Sequence, residues 1–310
     1  MPKKIIIDTD PGQDDAVAIL LALASPELKV LGITAVAGNV PLELTARNAR
    51  IVAELAGSDV PVHAGAAAPL KRTLVTAEHV HGKTGLDGWD APDPVTPLAS
   101  EDAAGFIVET IRANPGEVIL CPLGPLTNIA EALRRDPGIA TMIPRVVLMG
   151  GAYFEVGNIT PAAEFNIYVD PEAADELFRS GIDIVVLPLD VTHKALTTRV
   201  RNDAIRALGN RTGEAVAAWT GFFERFDKEK YGSEGAPLHD PCVIAHLLKP
   251  NLFSGRHVNV EIETRSDLTR GMTVADWWGV TDRPKNATFI GDVDADGFYA
   301  LLTERLGRLP

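Results

Sequence analysis

Short β-branched apolar runs that recur between helical stretches constrain this chain most. They are KIIID at Lys4–Asp8, Val30–Val36, Val60–His63, EVILC at Glu117–Cys121, Arg145–Met149 and DIVVL at Asp183–Leu187. Helical patterns separate them, at Asp14–Ala24, Leu42–Ala56, Ala103–Ala113, Leu126–Arg134 and Asp170–Ser180. A strand that is apolar on both faces belongs in a parallel sheet, because the crossover helices cover both sides. The pattern predicts an α/β fold with an open, Rossmann-like, mostly parallel central sheet flanked by helices. His257–Glu263, Gly271–Ala275 and Asn286–Ile290 read as small extra antiparallel strands near the C-terminus, before a last helix at Ala295–Arg305. After Leu187 the chain reads as mostly helical.

Residues 65–100 are rich in Gly, Pro, Asp and Thr, and a loop this long is usually functional or mobile. We expect mobile loops at about 70–95 and 225–238. Nothing resembles a repeat or a linker, so residues 1–310 read as one domain. A chain of this length buries about three quarters of its unfolded surface and folds without disulfides.

Hydrophobic residues make up 46% and charged residues 23%, which excludes a disordered chain. The net charge of −13 repels phosphate backbones and argues against nucleic acid as a partner. Two cysteines, Cys121 and Cys242, are too few for a disulfide framework. Only Ile5–Ile7 stand before Asp8, short of a secretory core, and no run approaches the ~20 apolar residues of a membrane span. These features predict a soluble, cytoplasmic protein with no membrane partner.

The first strand runs into Asp8-Thr9-Asp10-Pro11-Gly12-Gln13-Asp14-Asp15, four carboxylates in eight residues. Ligands of open α/β sheets bind outside the carboxyl ends of the strands. Helix capping explains one or two acids there. Four repel one another unless something positive neutralises them, and all-oxygen ligands select Ca²⁺ or Mg²⁺. Other strand ends supply Gly38-Asn39, Leu123-Gly124-Pro125-Leu126-Thr127-Asn128, and Gly150-Gly151 leading to Glu164-Phe165-Asn166. Asn39 also reads as a helix cap, and Glu164 and Asn166 as a solvated loop. His239-Asp240-Pro241 reads as a plain helix start at Asp240, yet a His there is a candidate general acid. His79 and His81 lie in the long loop. No GxSxG, CxxC, HExxH or GxGxxG occurs, which removes the hydrolase-elbow, redox, metalloprotease and dinucleotide readings.

Together these motifs resemble the nucleoside hydrolase family, of the inosine–uridine-preferring type. The leading match is Ile7-Asp8-Thr9-Asp10-Pro11-Gly12-Gln13-Asp14-Asp15-Ala16, and the others follow in the family's order, through Met149-Gly150-Gly151 and Arg270-Gly271-Met272-Thr273. The resemblance implies hydrolysis of the N-glycosidic bond of ribonucleosides, purine or pyrimidine, for nucleoside salvage. It implies Ca²⁺ held by Asp10, Asp15, Asp240 and the Leu123 carbonyl. Asp14, Asn39, Glu164 and Asn166 would hold the ribose, with Asp240 also near the substrate and Met149 lining the sugar site. His239 would protonate the leaving base, Asp10 would activate water, and His81 and Tyr231 would lie near the base. A homotetramer or dimer is also implied. The preferred base is not legible. A rival enzyme reading is a haloacid-dehalogenase-like phosphatase, with Asp8 as nucleophile in Asp8-Thr9-Asp10. A non-catalytic riboside-binding protein is the other rival.

Overall fold

The computed structural model describes the backbone of residues 1–231 and 234–310, with the side chains of 226–233 outside the described residues. Its strands are β1 (Lys3–Thr9), β2 (Leu28–Ala35), β3 (Val62–Ala64), β4 (Val118–Pro122), β5 (Val146–Met149), β6 (Ile184–Leu187), β7 (Leu196–Thr198), β8 (Gly235–Pro237), β9 (Phe253–Val258), β10 (Val260–Ile262), β11 (Thr273–Ala275) and β12 (Ala287–Val293). Its helices are α1 (Gln13–Leu23), α2 (Leu42–Leu55), α3 (Glu78–His81), α4 (Ala103–Ala113), α5 (Thr127–Arg135), α6 (Phe165–Val169), α7 (Pro171–Phe178), α8 (Leu189–Thr192), α9 (Arg199–Arg206), α10 (Arg211–Tyr231), α11 (Pro241–Leu248) and α12 (Ala295–Leu306).

Eight strands form one sheet in the order β3-β2-β1-β4-β5-β6-β12-β9. All neighbours pair in parallel except β12 with β9. Successive side chains of a strand point to opposite faces, and here both faces are buried. Ile5 and Ile7 enter one core while Ile6 enters the other; Val147 and Met149 are likewise opposed to Val146 and Leu148. Each fully buried Ile or Val contributes about 1.5–3 kcal/mol, which is why the strands read as continuous apolar runs. Helix α1 is buried from Gln13 to Ala22. It packs behind β1 and carries the acid-rich segment to the carboxyl edge of the sheet.

The tail supplies the expected antiparallel pairs, β10 with β11 and β9 with β12, and departs from expectation in one pairing. The run at Asn286–Ile290 becomes β12, which joins the main sheet parallel to β6, with Ala287 opposite Ile184. Phe289 is buried in one core and Ile290 in the other, so this strand needs cover on both faces and a place inside the sheet. The run at His257–Glu263 splits at Asn259: β9 is the antiparallel edge of the main sheet, and β10 pairs with β11 in a separate antiparallel ribbon. A second small ribbon, β7 with β8, interrupts the expected helical stretch. The long segment at 65–100 contains α3 and is tied to α2, where Asn48 Nδ2 donates to the Thr84 carbonyl at 2.7 Å. The segment expected as a loop at 225–238 begins as the last turns of α10 and contains β8. Cys121 and Cys242 are buried and unpaired. Among the described residues no helix is long and apolar enough to cross a membrane.

Candidate active site

β1 ends where α1 begins, and its acids go to three different places. Asp8 turns into the protein. Its Oδ1 accepts from Thr34 Oγ1 and from Asn128 Nδ2 at 2.7 Å, and full burial pushes its carboxyl up to about 7. A side chain sealed in this way cannot act as the exposed nucleophile that a phosphatase needs. Asp15 stays with its helix: Oδ2 accepts from the Gly12 amide at 2.9 Å and Oδ1 from Thr9 Oγ1. Asp10 lies between two glycines. A Cβ at Gly38 would stand 2.1 Å from its Oδ2, and one at Gly124 2.2 Å from its Oδ1. Both strand-end glycines are therefore needed for the backbone to pass this carboxylate. Asp10 Oδ2 accepts from the Asn39 amide at 2.7 Å, while Oδ1 is buried with no partner among the described residues.

Asn39 caps no helix, since the residue before α2 is Pro41. Its Nδ2 instead bridges the acids, reaching the Asp10 carbonyl at 3.1 Å and Asp15 Oδ2 at 3.3 Å. Asp240 does occupy the cap position of α11, with Pro241 next, but its side chain makes no capping bond. It turns to the acid cluster. Carboxylate oxygens of Asp14, Asp15 and Asp240 lie within 4.8 Å of one another. The expected ion-holding set is Asp10, Asp15 and Asp240; Asp14 joins Asp15 and Asp240 in the tight group, and Asp10 Oδ2 is bonded to the Asn39 amide.

Burial raises all these carboxyls, and mutual repulsion adds to it. Asp10 is pushed up by desolvation and then by Asp15, and Asp240 by desolvation and then by Asp14, Asp15 and Asp10. Asp15 is raised by its burial and Asp14 to about 7 by burial and then Asp15. The cost of so much buried like charge falls when a cation enters. Converging carboxylate oxygens, together with an Asp10 Oδ1 that has no partner among the described residues, fit a divalent ion.

The opposite wall comes from β4, β5 and α6. Glu164 caps α6, its carboxylate accepting from the amides of Asn166 at 2.9 Å and Gly151 at 3.0 Å; burial holds it at about 7. Asn166 Nδ2 donates to the Leu123 carbonyl at 2.7 Å and reaches the Met149 carbonyl at 3.3 Å. A carbonyl has two lone pairs, so Leu123 retains one beyond its bond to Asn166. One cavity is lined by Asp14, Asp15, Asn39, Leu123, Met149 and Glu164, and continues to Asn166, His81, His239 and Asp240.

A family model described as inosine-uridine preferring nucleoside hydrolase matches residues 5–300. The chain belongs to the nucleoside hydrolase family. It is 53% identical over 309 residues to an uncharacterised protein of Schizosaccharomyces pombe, spanning 99% of this chain and 100% of that one. It is 49% identical over 308 residues to the pyrimidine-specific ribonucleoside hydrolase RihA of Salmonella typhimurium, over 99% of each. Among solved structures, the purine-preferring ribonucleoside hydrolase from Gardnerella vaginalis superposes with a TM-score of 0.92 at 33% identity, over 98% of both chains.

The end of this nucleoside hydrolase's cavity at His81 and His239 contains residues that the sequence did not single out. His81, at the end of α3, is held by Gln13, and burial drives its imidazole down to about 3. Phe223 stacks on His81 at 5.5 Å between ring centres and meets His239 edge-on at 6.4 Å. His193 follows α8 and stands 5.8 Å from His239, centre to centre. Desolvation, then His193 and His81, keep His239 well below the usual imidazole range. Thr192 Oγ1 contacts His239 Nδ1 at 2.7 Å. Gln13 stood in the leading motif without a role, and Val-Thr-His at 191–193 has no signal beyond following a strand end. The Tyr231 side chain lies outside the described residues.

Proposed function

We propose that this chain hydrolyses the N-glycosidic bond of ribonucleosides, releasing ribose and the free base, and does so with Ca²⁺. The observation that carries this is the gathering of Asp14, Asp15 and Asp240 beside Asp10 at the carboxyl edge of the sheet, in one cavity with Glu164 and Asn166. Asp10, Asp15, Asp240 and the Leu123 carbonyl would hold the ion. When bound, it supplies Lewis-acid chemistry that makes a water and the sugar hydroxyls more acidic.

The chain's own residues do the rest. Asp14, Asn39, Glu164 and Asn166 hold the ribose hydroxyls, with Met149 beneath the sugar and Asp240 at its rim. The buried carboxylates face a sugar that becomes oxocarbenium-like as the C–N bond lengthens, and they stabilise that charge. Asp10 takes the proton of the attacking water. His239 donates to the departing base, while His81 flanks that base. The loop at about 70–95 opens and closes over the cavity of a single catalytic domain. We propose further that the enzyme works in the cytoplasm as a homotetramer or dimer; its charge of −13 fits a small-molecule substrate better than a nucleic acid.

Release of reducing sugar from a panel of inosine, uridine, cytidine and their 2′-deoxy forms tests the activity. Ribonucleosides are expected to turn over and deoxynucleosides to be poor, because the ion and acids grip the 2′-hydroxyl. Binding of ribosides with no sugar released would instead identify a non-catalytic binding protein. The His239→Ala variant is expected to lose about 10²–10⁴-fold on natural nucleosides and far less on a nitrophenyl riboside, whose leaving group needs no proton. Equal losses on both substrates would remove His239 from this role.

A further inference from the structure

The two histidines at the base end of the cavity each commit Nδ1 to a side chain behind them. Gln13 makes the first bond readable. Its Nε2 lies 2.9 Å from the His81 carbonyl and 3.0 Å from the Asp87 carbonyl. Carbonyl oxygens only accept, so the amide nitrogen must face them and Oε1 must face the other way. Oε1 stands 2.6 Å from His81 Nδ1, and it too only accepts. The ring proton of His81 is therefore on Nδ1, which leaves Nε2 with a lone pair.

Thr192 reverses this at His239. Its Oγ1 is buried 2.7 Å from His239 Nδ1, the partner it has among the described residues. A buried hydroxyl proton needs an acceptor, and a ring nitrogen with a lone pair is one. His239 then carries its single proton on Nε2.

We propose that Gln13 and Thr192 are positioning residues that lock the two histidines in opposite tautomers, so that the base site offers an acceptor at His81 Nε2 and a donor at His239 Nε2. Such a pair recognises a nucleobase edge that carries an acceptor, where negative charge builds as the glycosidic bond breaks, and an N–H that His81 can receive. The kinetic consequence rests on the reading of His239 as the donor to the leaving base; the tautomers themselves do not.

The test is ¹⁵N NMR of histidine-labelled, calcium-loaded enzyme at neutral pH, with His81→Ala and His239→Ala used for assignment. The expected spectrum shows a protonated, pyrrole-type Nδ1 for His81 and a protonated, pyrrole-type Nε2 for His239. The same tautomer at both rings would overturn the proposal, whatever the role of His239. Thr192→Val removes the hydroxyl at nearly constant volume. It is expected to shift His239 toward the Nδ1–H form and to lower kcat/KM for natural nucleosides about tenfold or more, with little change for the nitrophenyl riboside; Thr192→Ser should restore both. Unchanged His239 shifts in Thr192→Val, or equal losses on the two substrates, would show Thr192 to be merely structural.

Discussion

Replacing Asp10 by asparagine or alanine is expected to lower kcat by at least about 10³-fold on every substrate, nitrophenyl riboside included. A general base contributes typically about 10²–10⁴-fold, and Asp10 is also among the residues proposed to hold the ion, so its loss should cost more than one role. The structure says why no neighbour can substitute. Asp8, two residues away on the same strand, points to Thr34 and Asn128. Asp15 has both oxygens engaged, with Thr9, Gly12 and Asn39. Asp10 Oδ1 is buried with no partner among the described residues. The leaving-group comparison separates this effect from that of His239: a missing base slows every substrate, and a missing proton donor slows only the poor leaving groups. Asparagine nearly preserves the volume between Gly38 and Gly124, so a melting temperature close to that of the parent shows that the loss is chemical. Near-normal turnover by either variant with calcium present would refute the role given to Asp10.

What the sequence displayed and what it hid follow from distance along the chain. The parallel sheet was legible because strands buried on both faces are apolar without interruption, as in Ile5-Ile6-Ile7. The acid cluster was legible because its members crowd into eight residues. Even so, the capping reading was half right: Asp15 does cap its own helix, whereas Asp240, which reads as an ordinary N-cap, does not. The parallel placement of β12 could not be read, because direction in a sheet depends on the path of the intervening chain and not on the strand's own residues. The three-residue strands β7 and β8 are too short to show a period of two. Gln13 and Thr192 were invisible for a related reason. Their partners lie 68 and 47 residues away, and only folding brings them together.

Chelating the cation is expected to abolish ribose release and to leave a protein whose stability falls as the pH rises. Asp14 is raised to about 7 and Asp10, Asp15 and Asp240 are raised as well, relative to unfolded carboxyls near 4. A group whose affinity for protons is higher when folded contributes stability that is full below its unfolded pKa. That contribution disappears as the pH climbs through the folded value. The metal-free protein should therefore lose stability from about pH 4 to beyond pH 7, as protons that shield the cluster depart. The cation reverses the sign. It binds the deprotonated carboxylates, so its stabilising effect grows as protons cease to compete for them. At a free concentration of about 100 times Kd the gain is roughly 2.7 kcal/mol, several degrees in Tm for a domain of this size. Thermal melts with calcium and with a chelator, at about pH 5.5 and pH 8, measure the difference directly. The gap between the two curves should be wide at the higher pH and narrow at the lower. A chelated enzyme with full activity, or a wider gap at pH 5.5, would mean that these acids do not hold the ion, because protons and a cation that share the same oxygens must compete.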